Sequence, residues 1–400
     1  MKILEQLQAQ LNHLEKIDYY RKRFADASVD PCAVNSLEDF ARLPFTTAKD
    51  FQSELKKPPA QCSLFTPEVT RVNFSPSGQE LYPVYHTNQD LETMHRVCAR
   101  SLEAAGLSPQ DSVAVTFGYH LFIAGLFYQG QLEYYGAKVI PLGPGESERA
   151  VKIINDLQIS VLASNPTFAM KLAEQGIPSV HTLFVGGEPF TSVQGYPEKV
   201  RAAFDREITI IDSYSMALCM PIARSCRHNN GLHLMDDFVY AEVVDPDSGE
   251  PLPIGDKGEL VLTHLHKQAA PLLRYRTGDL TVLERRQCAC GRELTMPQSV
   301  IGRTDEMLKI KGIKFWPSQV ATILRSYPSL SLNYRVEVDS VQGVDQLRLT
   351  VEGSLADDGE LERLANHLKS ETLLKFNTIE TVDKLEQGPG VVDKRKGRSF

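Results

Sequence analysis

The sequence predicts an α/β protein with a large N-terminal domain of mostly parallel sheet layers and a small, mobile α+β C-terminal lobe. At 400 residues the chain exceeds the size at which single hydrophobic cores usually stop growing, which favours two domains. Helical patterns alternate with short β-branched runs between about residues 90 and 210, as in βαβ units around a parallel sheet. Residues 231–285 instead carry strand patterns separated by tight turns, which predict a small antiparallel region.

The alternating region begins with the helical pattern DLETMHRVCARSLEAAG, which ends at Gly106, and a second helical pattern ends at Gly136. Strands are predicted at SVAVTFG, KVIPLG, SVLAS and HTLFVGG, with helical patterns between them. In an open α/β sheet of this kind, ligands bind at the carboxyl ends of the strands. Residues that follow these strands are therefore the first candidates for a functional site.

The last section, roughly residues 305–400, has its own strand patterns, YRVEVDSV and QLRLTVEG, and the helical pattern DDGELERLANHLKSETLLKF. These elements are enough for a small α+β lobe. The charged segment GRTDEM lies between this section and the rest of the chain. We therefore predict domains at residues 1–302 and 303–400, with a hinge near 302–307.

The composition excludes several classes of function. A net charge of −8 argues against broad binding of nucleic acid or of anionic membranes. The most apolar stretch, residues 113–127, is too short and too polar to span a bilayer. The N-terminus predicts an amphipathic helix with one apolar face, made of Leu4, Leu7, Leu11 and Leu14. It lacks the continuous apolar core of a signal peptide. Seven cysteines, an odd number, do not suggest a disulfide framework, so we expect a cytoplasmic protein.

The stretch SPSGQELYPVYHT, residues 75–87, has the small residues of a loop that binds an anion through its backbone N–H groups. Its candidate residues are Ser75, Ser77 and Gly78. The stretch has a single glycine, no lysine, and Glu80 close to the turn, which is a poor arrangement for phosphate. An ordinary surface turn is the alternative interpretation.

Three further stretches have small and polar residues at the ends of predicted strands, where ligands bind in α/β proteins. FVGGEPFT (184–191) is a strand that ends in glycines, which let a ligand approach the backbone. ITIIDSYSMALCMP (208–221) is a strand that runs into a tyrosine able to stack on a base. In PLLRYRTGDL (271–280) an aspartate could accept hydrogen bonds from both hydroxyls of a ribose. Each stretch alone also fits an ordinary strand exit or turn. The nucleotide-binding candidates are Gly187, Glu188, Pro189, Asp212, Ser213, Tyr214, Ser215 and Asp279.

A fourth stretch, SVIGRTDEMLKIKGIKFWPSQV (299–320), has glycine, arginine and aspartate at the predicted domain boundary. The order and spacing of the four stretches, together with LPFTTAKDF, FGYHLFIAGL, GAKVIPLGPGESER and CACGR, resemble the phenylacetate-CoA ligase family of the adenylate-forming superfamily. The resemblance covers nearly the whole chain. It implies a large ATP- and AMP-binding N-terminal domain and a small mobile lobe, and it adds Arg303 to the nucleotide site.

The resemblance also implies two half-reactions. A carboxylate and ATP, with Mg²⁺, first give an acyl-adenylate and pyrophosphate, and a thiol such as that of coenzyme A then displaces AMP. The phosphate loop of the family usually reads S-S-G-T-T-G-K-P, of which this chain keeps Ser75, Ser77, Gly78 and the later Thr87. The glutamate that organises Mg²⁺ in the family corresponds here to Leu218. Both departures concern the handling of the triphosphate and the metal.

A catalytic lysine and an acid pocket are further implications of the resemblance. The C-terminal lysine of the family reaches the α-phosphate during adenylation. Lys394 is the candidate here and Lys396 the second choice, with a frayed basic terminus as the alternative. The residues that correspond to the acid pocket of the family could equally be ordinary residues of the hydrophobic core. The acid-binding candidates are Tyr119, His120, Phe122 and Gly143.

Two cysteines in the CAC segment suggest a metal site. A structural zinc takes four nitrogen or sulfur ligands. Cys288 and Cys290 could be joined by Cys226 and by His233 or His228, which come shortly before the predicted antiparallel region. Because C-x-C is less diagnostic than C-x-x-C, reduced buried thiols remain the alternative.

The sequence as a whole favours an adenylate-forming ligase that joins an aromatic or other hydrophobic carboxylic acid to a thiol. Its expected partners are the small-molecule acid and either coenzyme A or a carrier-protein thiol, without nucleic acid or membrane, and a homodimer is one assembly that the sequence permits. Two alternatives stay open. A non-catalytic or repurposed relative would bind AMP or an acyl-adenylate, and an active relative could use an amine or a carrier protein as the acceptor.

Overall fold

The computed structural model describes residues 2–77, 80–193, 195–304, 308–310, 313–341, 344–385 and 390–395. It divides into two compact units. The first unit comprises Met1–Ser192 and Tyr196–Val300, and the second comprises Val193–Gly195 and Ile301–Phe400. Within the described ranges, every helix is too short or too polar to cross a bilayer.

The first unit contains nine α-helices among its described residues. They are α1 (Lys2–Leu14), α2 (Asp18–Asp26), α3 (Leu37–Ala41), α4 (Ala48–Leu55), α5 (Asn88–Ala104), α6 (Ala124–Tyr135), α7 (Ser147–Asp156), α8 (Pro166–Glu174) and α9 (Tyr196–Ala203). Two short 3-10 helices, Pro31–Ala33 and Pro59–Gln61, lie in the N-terminal part. The amphipathic helix predicted at the N-terminus is confirmed as α1, which buries Leu7, Leu11 and Leu14.

The strands of the first unit form three sheets. The strands up to residue 216 are β1 (Val69–Ser77), β2 (Glu80–Thr87), β3 (Ser112–Val115), β4 (Lys138–Pro141), β5 (Val161–Ser164), β6 (Thr182–Val185) and β7 (Thr209–Met216). Those after it are β8 (Cys219–Ser225), β9 (Leu232–Leu234), β10 (Val239–Val244), β11 (Lys257–His264), β12 (Tyr275–Val282), β13 (Glu284–Arg285) and β14 (Leu294–Met296).

The largest sheet has nine strands in the order β13-β14-β9-β8-β7-β6-β5-β3-β4. Strands β7, β6, β5, β3 and β4 are parallel, as the alternation of helices and strands predicts. From β7 onward the sheet continues antiparallel through β8, β9, β14 and β13. The predicted α/β class is confirmed, and the antiparallel strands extend the parallel sheet at one side.

The described residues of the stretch SPSGQELYPVYHT lie in two paired strands, whereas the sequence predicted a loop. Strand β1 runs to Ser77 and pairs antiparallel with β2, which begins at Glu80. The hairpin buries aromatic side chains of β2, including Tyr82 and Tyr85, and this burial favours strands over an open loop. Gly78, a candidate for phosphate binding, lies outside the described residues.

Strands β10, β11 and β12 form an antiparallel sheet that confirms the prediction for residues 231–285. Two ion pairs with little exposure hold its strands together. Arg274 forms two hydrogen bonds with Glu242 of β10, at 3.1 and 3.0 Å, and its side chain is 2% exposed. Arg276 pairs with Glu259 of β11, whose side chain is 3% exposed. Burial raises the pKa of Glu242, while Arg274 opposes this shift.

The second unit has its own core. Its strands are β15 (Gly302–Arg303), β16 (Leu308–Ile310), β17 (Ile313–Phe315), β18 (Leu330–Val341), β19 (Val344–Gly353), β20 (Thr378–Val382) and β21 (Gly390–Asp393), and its helices are α10 (Pro317–Leu324) and α11 (Asp358–Thr372). Strands β20, β19, β18 and β21 form one sheet in that order. Apolar side chains of this sheet, such as Val336 and Leu349, pack with Leu364 of α11 in one cluster.

The Arg274–Glu242 pair predicts a large loss of stability when one partner is removed. In the Glu242→Ala variant a buried guanidinium loses its carboxylate, so we expect the free energy of unfolding to fall by about 3–5 kcal/mol. The control is Asp156→Ala, which breaks the exposed Lys152–Asp156 pair of α7 and should cost about 0–1 kcal/mol. Urea unfolding followed by circular dichroism measures both. Equal losses in the two variants would contradict this account of the sheet.

Candidate active site

The crevice at the carboxyl ends of the parallel strands contains the glycines that the sequence singled out. Strand β6 ends at Val185 and is followed by Gly186, which is buried, and by Gly187, whose φ of +81° favours glycine. The Glu188 side chain next to them accepts a hydrogen bond of 2.7 Å from Thr167 at the start of α8. This contact fixes the loop that carries the Glu188-Pro189 pair beside the strand ends.

Tyr214 and Asp279 are far apart in the sequence, and the fold brings them into contact. The Tyr214 hydroxyl donates a hydrogen bond of 2.5 Å to Oδ2 of Asp279. Tyr214 lies near the end of β7, in the large sheet, while Asp279 lies in β12, in the antiparallel sheet. Two of the predicted nucleotide-binding residues, one aromatic and one acidic, therefore meet where the two sheets approach each other.

The backbone around Asp279 is held by the neighbouring strand. Glu259 of β11 accepts a hydrogen bond of 3.0 Å from the backbone N–H of Gly278 while it pairs with Arg276. The Asp279 N–H donates to the Thr277 hydroxyl at 3.0 Å. With both amides engaged in this way, the backbone that carries Asp279 is held in place, and the carboxylate itself accepts the bond from Tyr214.

Asp212, another nucleotide-binding candidate, is buried and bonded to the protein itself. Its carboxylate is 4% exposed and accepts hydrogen bonds from the backbone N–H and the hydroxyl of Thr191, at 3.2 and 2.6 Å. Burial raises the pKa of Asp212, and the bonds from Thr191 oppose this effect. Because Thr191 ends the FVGGEPFT stretch, Asp212 anchors the far end of the loop that begins at Gly187.

The acid-binding candidates lie along the exits of β3 and β4. Tyr119 is half-buried, and burial raises its pKa to about 12. Gly143, with a φ of +71°, brings its backbone close to the ring of Tyr119, since a Cβ there would lie 3.9 Å from the ring. His120 is exposed, and Phe122 is 45% exposed. Tyr119 and Gly143 therefore meet, whereas His120 and Phe122 point to the surface of this unit.

The remaining nucleotide candidates are in strands. Ser75 pairs with Tyr82 in the hairpin, and Ser215 lies half-buried in β7. Leu218, the counterpart of the family glutamate, is 4% exposed in the turn between β7 and β8. Its apolar side chain is part of the core, so this position offers no ligand for a metal.

Two candidates belong to the second unit. Arg303 lies in the short strand β15. Lys394 follows β21, and its Nζ donates a hydrogen bond of 3.0 Å to Glu337 of β18. Its backbone N–H also bonds to the carbonyl of Val338 at 2.7 Å, which fixes the chain at this point. Lys396 lies outside the described residues.

The four predicted zinc ligands form one cluster. The ligand atoms of Cys226, His233, Cys288 and Cys290 all lie within 4.8 Å of one another. The sulfurs of Cys226 and Cys288 are 3.6 Å apart, and the sulfur of Cys290 is 3.4 Å from Nε2 of His233. His228, the other histidine considered, contributes its backbone N–H, which donates to the Cys226 sulfur at 3.4 Å. Burial lowers the pKa of His233, which favours the neutral imidazole.

Sequence reasoning missed several residues that shape the site. Glu259 fixes the backbone of Asp279, and Arg224 of β8 donates a 3.2 Å hydrogen bond to the Ser213 hydroxyl. Tyr128 of α6 lies beneath the exit of β6. A charged residue within an apolar strand pattern, as in PIARSC, is a signal that could have drawn attention to Arg224. Tyr128 gave no such signal, because its pattern is that of any buried helical residue.

The sequence is similar to a known family of domains and to known ligases. The family described as the AMP-binding enzyme C-terminal domain matches residues 312–388. The phenylacetate-coenzyme A ligase of Thermus thermophilus is 36% identical over 85% of this chain and 78% of its own length. The protein of the same name from Escherichia coli is 33% identical over 84% of this chain and 78% of its own length.

Solved structures agree with these relatives. A 2-hydroxyisobutyryl-CoA ligase in its postadenylation state, in complex with 2-HIB-AMP, superposes with a TM-score of 0.82 at 25% identity. The match covers 98% of this chain and 89% of that one. On the identity and coverage of the curated relatives, this chain belongs to the phenylacetate-coenzyme A ligase family.

Proposed function

We propose that this protein is an ATP-dependent acid–thiol ligase that activates a carboxylic acid as its acyl-adenylate and transfers the acyl group to the thiol of coenzyme A. The observation that carries the proposal is the contact between Tyr214 and Asp279 beside the Gly187 loop. An aromatic ring, a diol-binding carboxylate and an accessible backbone are what recognition of AMP requires. Membership of a ligase family supports the same conclusion.

Each of these groups has a separate role in the proposed nucleotide site. The carboxylate of Asp279 would accept hydrogen bonds from both ribose hydroxyls, in place of the bond it now receives from Tyr214. The ring of Tyr214 would stack on the base, and the backbone of Gly187 to Pro189 would lie along its edge. Asp212 would act indirectly, because it holds Thr191 and thereby the conformation of that loop.

The acid and the catalytic lysine are assigned by the same reasoning. The half-buried ring of Tyr119 beside Gly143 offers an apolar surface for an aromatic or other hydrophobic acid. Lys394 would stabilise charge on the α-phosphate, and for that it must exchange its partner Glu337 for the phosphate. The cytoplasmic location, the homodimer and the use of a carrier-protein thiol remain predictions from the sequence.

A second candidate function is the binding of AMP or an acyl-adenylate without efficient activation of an acid. The buried Leu218 favours it, because an apolar side chain stands where the family has the acid that organises Mg²⁺. The chain keeps Tyr214 and Asp279 as candidates for base and ribose, so binding of the monophosphate would be affected less. The two functions differ in rate and in dependence on Mg²⁺, which can be measured.

We also propose a structural zinc at Cys226, His233, Cys288 and Cys290. Tetrahedral zinc with bonds of about 2.3 Å to sulfur and about 2.0 Å to nitrogen puts neighbouring ligand atoms about 3.5–3.8 Å apart. The distances of 3.6 and 3.4 Å between these ligand atoms fit that geometry. With four protein ligands the ion would tie the segment after β8 to the loop between β13 and β14, and it would take no part in the chemistry.

The proposed reaction is tested by measuring acyl-CoA formation with a panel of aromatic and aliphatic acids. The purified protein, ATP, Mg²⁺ and coenzyme A should give an acyl-CoA with at least one acid, together with equimolar AMP and pyrophosphate. Formation of an amide when amines replace coenzyme A would favour the alternative acceptor. Nucleotide binding without any product across the panel would favour the binding function.

Substitution of Asp279 should weaken nucleotide binding. The Asp279→Ala variant loses a charged hydrogen-bond acceptor, so AMP affinity should fall by about 1.5–3 kcal/mol in calorimetry. The Tyr214→Phe variant is the control, since it keeps both the ring and the carboxylate and should lose less. Wild-type affinity in the Asp279→Ala variant would contradict the assignment of this carboxylate to the ribose.

The zinc proposal predicts about one zinc per chain in protein purified without chelator. The Cys288→Ser variant should lose the metal and unfold at a lower temperature, because a ligand that joins two segments is removed. The control is Cys32→Ser, at an exposed cysteine outside the cluster. A metal-free protein that unfolds at the same temperature as the zinc-loaded sample would leave these cysteines as ordinary core thiols.

The altered phosphate loop and Leu218, in place of the family glutamate, predict slow adenylation. A triphosphate carries more charge than AMP and depends more on Mg²⁺ and on loop amides, so ATP should lose its usual advantage in affinity over AMP. Leu218→Glu should raise the rate and its Mg²⁺ dependence, whereas the uncharged control Leu218→Gln should not. Single-turnover rates of about 1–10³ s⁻¹ in the unmodified protein would show that another carboxylate holds the metal.

A further inference from the structure

The space beneath the exit of β6 is filled by a tyrosine from helix α6. A Cβ added to Gly186 would lie only 2.9 Å from the Tyr128 hydroxyl and 3.4 Å from the backbone oxygen of Ser213. The side chain of Tyr128 is buried, and its ring stacks on that of Phe117 at 4.5 Å with an interplanar angle of 13°. Phe117 follows β3, Gly186 follows β6, and Ser213 belongs to β7. Tyr128 therefore forms the floor of the crevice beneath the ends of β3 and β6, beside β7.

This tyrosine is held by its packing. Its ring stacks on that of Phe117, and its hydroxyl lies beside Ser213, because both adjoin the position that a Cβ of Gly186 would take. Ser213 is itself held, because its hydroxyl accepts a hydrogen bond of 3.2 Å from Nε of Arg224. A buried ring stacked in this way has little room to move aside when a larger ligand enters.

Arg224 anchors the arrangement to two helices. Its side chain is buried, with the residue 3% exposed, and it donates to the Ser101 hydroxyl of α5 at 2.9 Å and to Oε1 of Gln131 of α6 at 2.7 Å. It also lies over the ring of Phe184 at 5.5 Å. A guanidinium taken out of water is costly unless its donors are satisfied, so the structure strongly favours this one arrangement of its partners.

We propose that Tyr128 sets the depth of the acid subsite and so limits the length of the acid that the protein activates. The inference rests on the proposed function, in which the acyl group enters the crevice at the carboxyl ends of the parallel strands. An acyl group that extends below Gly186 meets the hydroxyl and ring of Tyr128, which is buried and stacked on Phe117. Short acids fit above this floor, and acids lengthened by further methylenes are rejected.

The direct test is a series of ω-phenylalkanoic acids from benzoate to phenylbutanoate, assayed with wild type and with Tyr128→Ala. A methylene that a pocket accepts or rejects changes kcat/KM by about 10–200-fold. Tyr128→Ala should therefore raise the ratio of kcat/KM for the longest over the shortest acid by at least about tenfold, with the KM for ATP unchanged. The control is Tyr135→Ala on the same helix, whose hydroxyl bonds to the carbonyl of Leu107. Tyr135 lies seven positions, or about 10 Å, further along the helix than Tyr128. Its substitution should therefore leave the ratio of kcat/KM for long over short acids unchanged.

A second pair of variants tests the contact itself. Gly186→Ala introduces the methyl group that meets the Tyr128 hydroxyl, so it should raise the KM for even the shortest acid. The double variant Gly186→Ala with Tyr128→Ala should recover most of that loss, because the obstructing ring is gone. Additive losses in the double variant, or an equal shift in the length ratio for Tyr135→Ala, would overturn the proposal.

Binding of acyl-sulfamoyl-adenosines of graded acyl length separates this inference from the proposed function, since these analogues need no turnover. Wild type should bind the short analogues and discriminate against the long ones, and Tyr128→Ala should lose that discrimination in calorimetry. Failure to bind any analogue would contradict the proposed adenylate site. Tight binding with the same length preference in both proteins would retain the site and remove the role of Tyr128.

Discussion

Two Arg–Glu pairs in the antiparallel sheet are the constraint on which the candidate site depends. The pair Arg274–Glu242 joins the residue just before β12 to β10, and Arg276–Glu259 joins β12 to β11. Glu259 also binds the backbone N–H of Gly278, one residue before Asp279. Charges with so little exposure are stabilising only when their hydrogen bonds are complete, so they specify one register of β12 strongly. That register brings Asp279 into contact with Tyr214 of the large sheet, and the proposed nucleotide site follows from it.

Buried side chains also hold the candidate ligand-binding residues elsewhere around the crevice, although they would not touch a ligand themselves. Asp212 holds Thr191 and the loop after β6, while Arg224 holds Ser213 and, through Gln131, the helix that carries Tyr128. The cluster of three cysteines and His233 would join two segments of the antiparallel extension in the same way if zinc occupies it. The first two of these anchors are charged groups in the interior, and the third is a set of candidate metal ligands. They explain how a crevice made of strand ends and short loops can keep a defined shape.

The sequence predicted the class of fold, the strand exits and the identity of many candidate residues, because periodicity and glycine positions are local properties. It also predicted the four members of the cysteine–histidine cluster, although C-x-C spacing alone did not decide between metal and free thiols. It did not predict that residues 75–87 form a hairpin, because burial of Tyr82 and Tyr85 depends on tertiary packing. Nor could it find Tyr128 or Glu259, whose roles arise from contacts between residues distant in the chain.

The central claim is that this crevice forms an acyl-adenylate from a carboxylic acid and ATP. Exchange of labelled pyrophosphate into ATP measures that step alone, because it requires reversible formation of the adenylate and no thiol. The account predicts exchange that depends on an acid and on Mg²⁺, continues without coenzyme A, and is abolished or strongly reduced in Asp279→Ala. Exchange absent with every acid, in protein that still binds AMP, would contradict it.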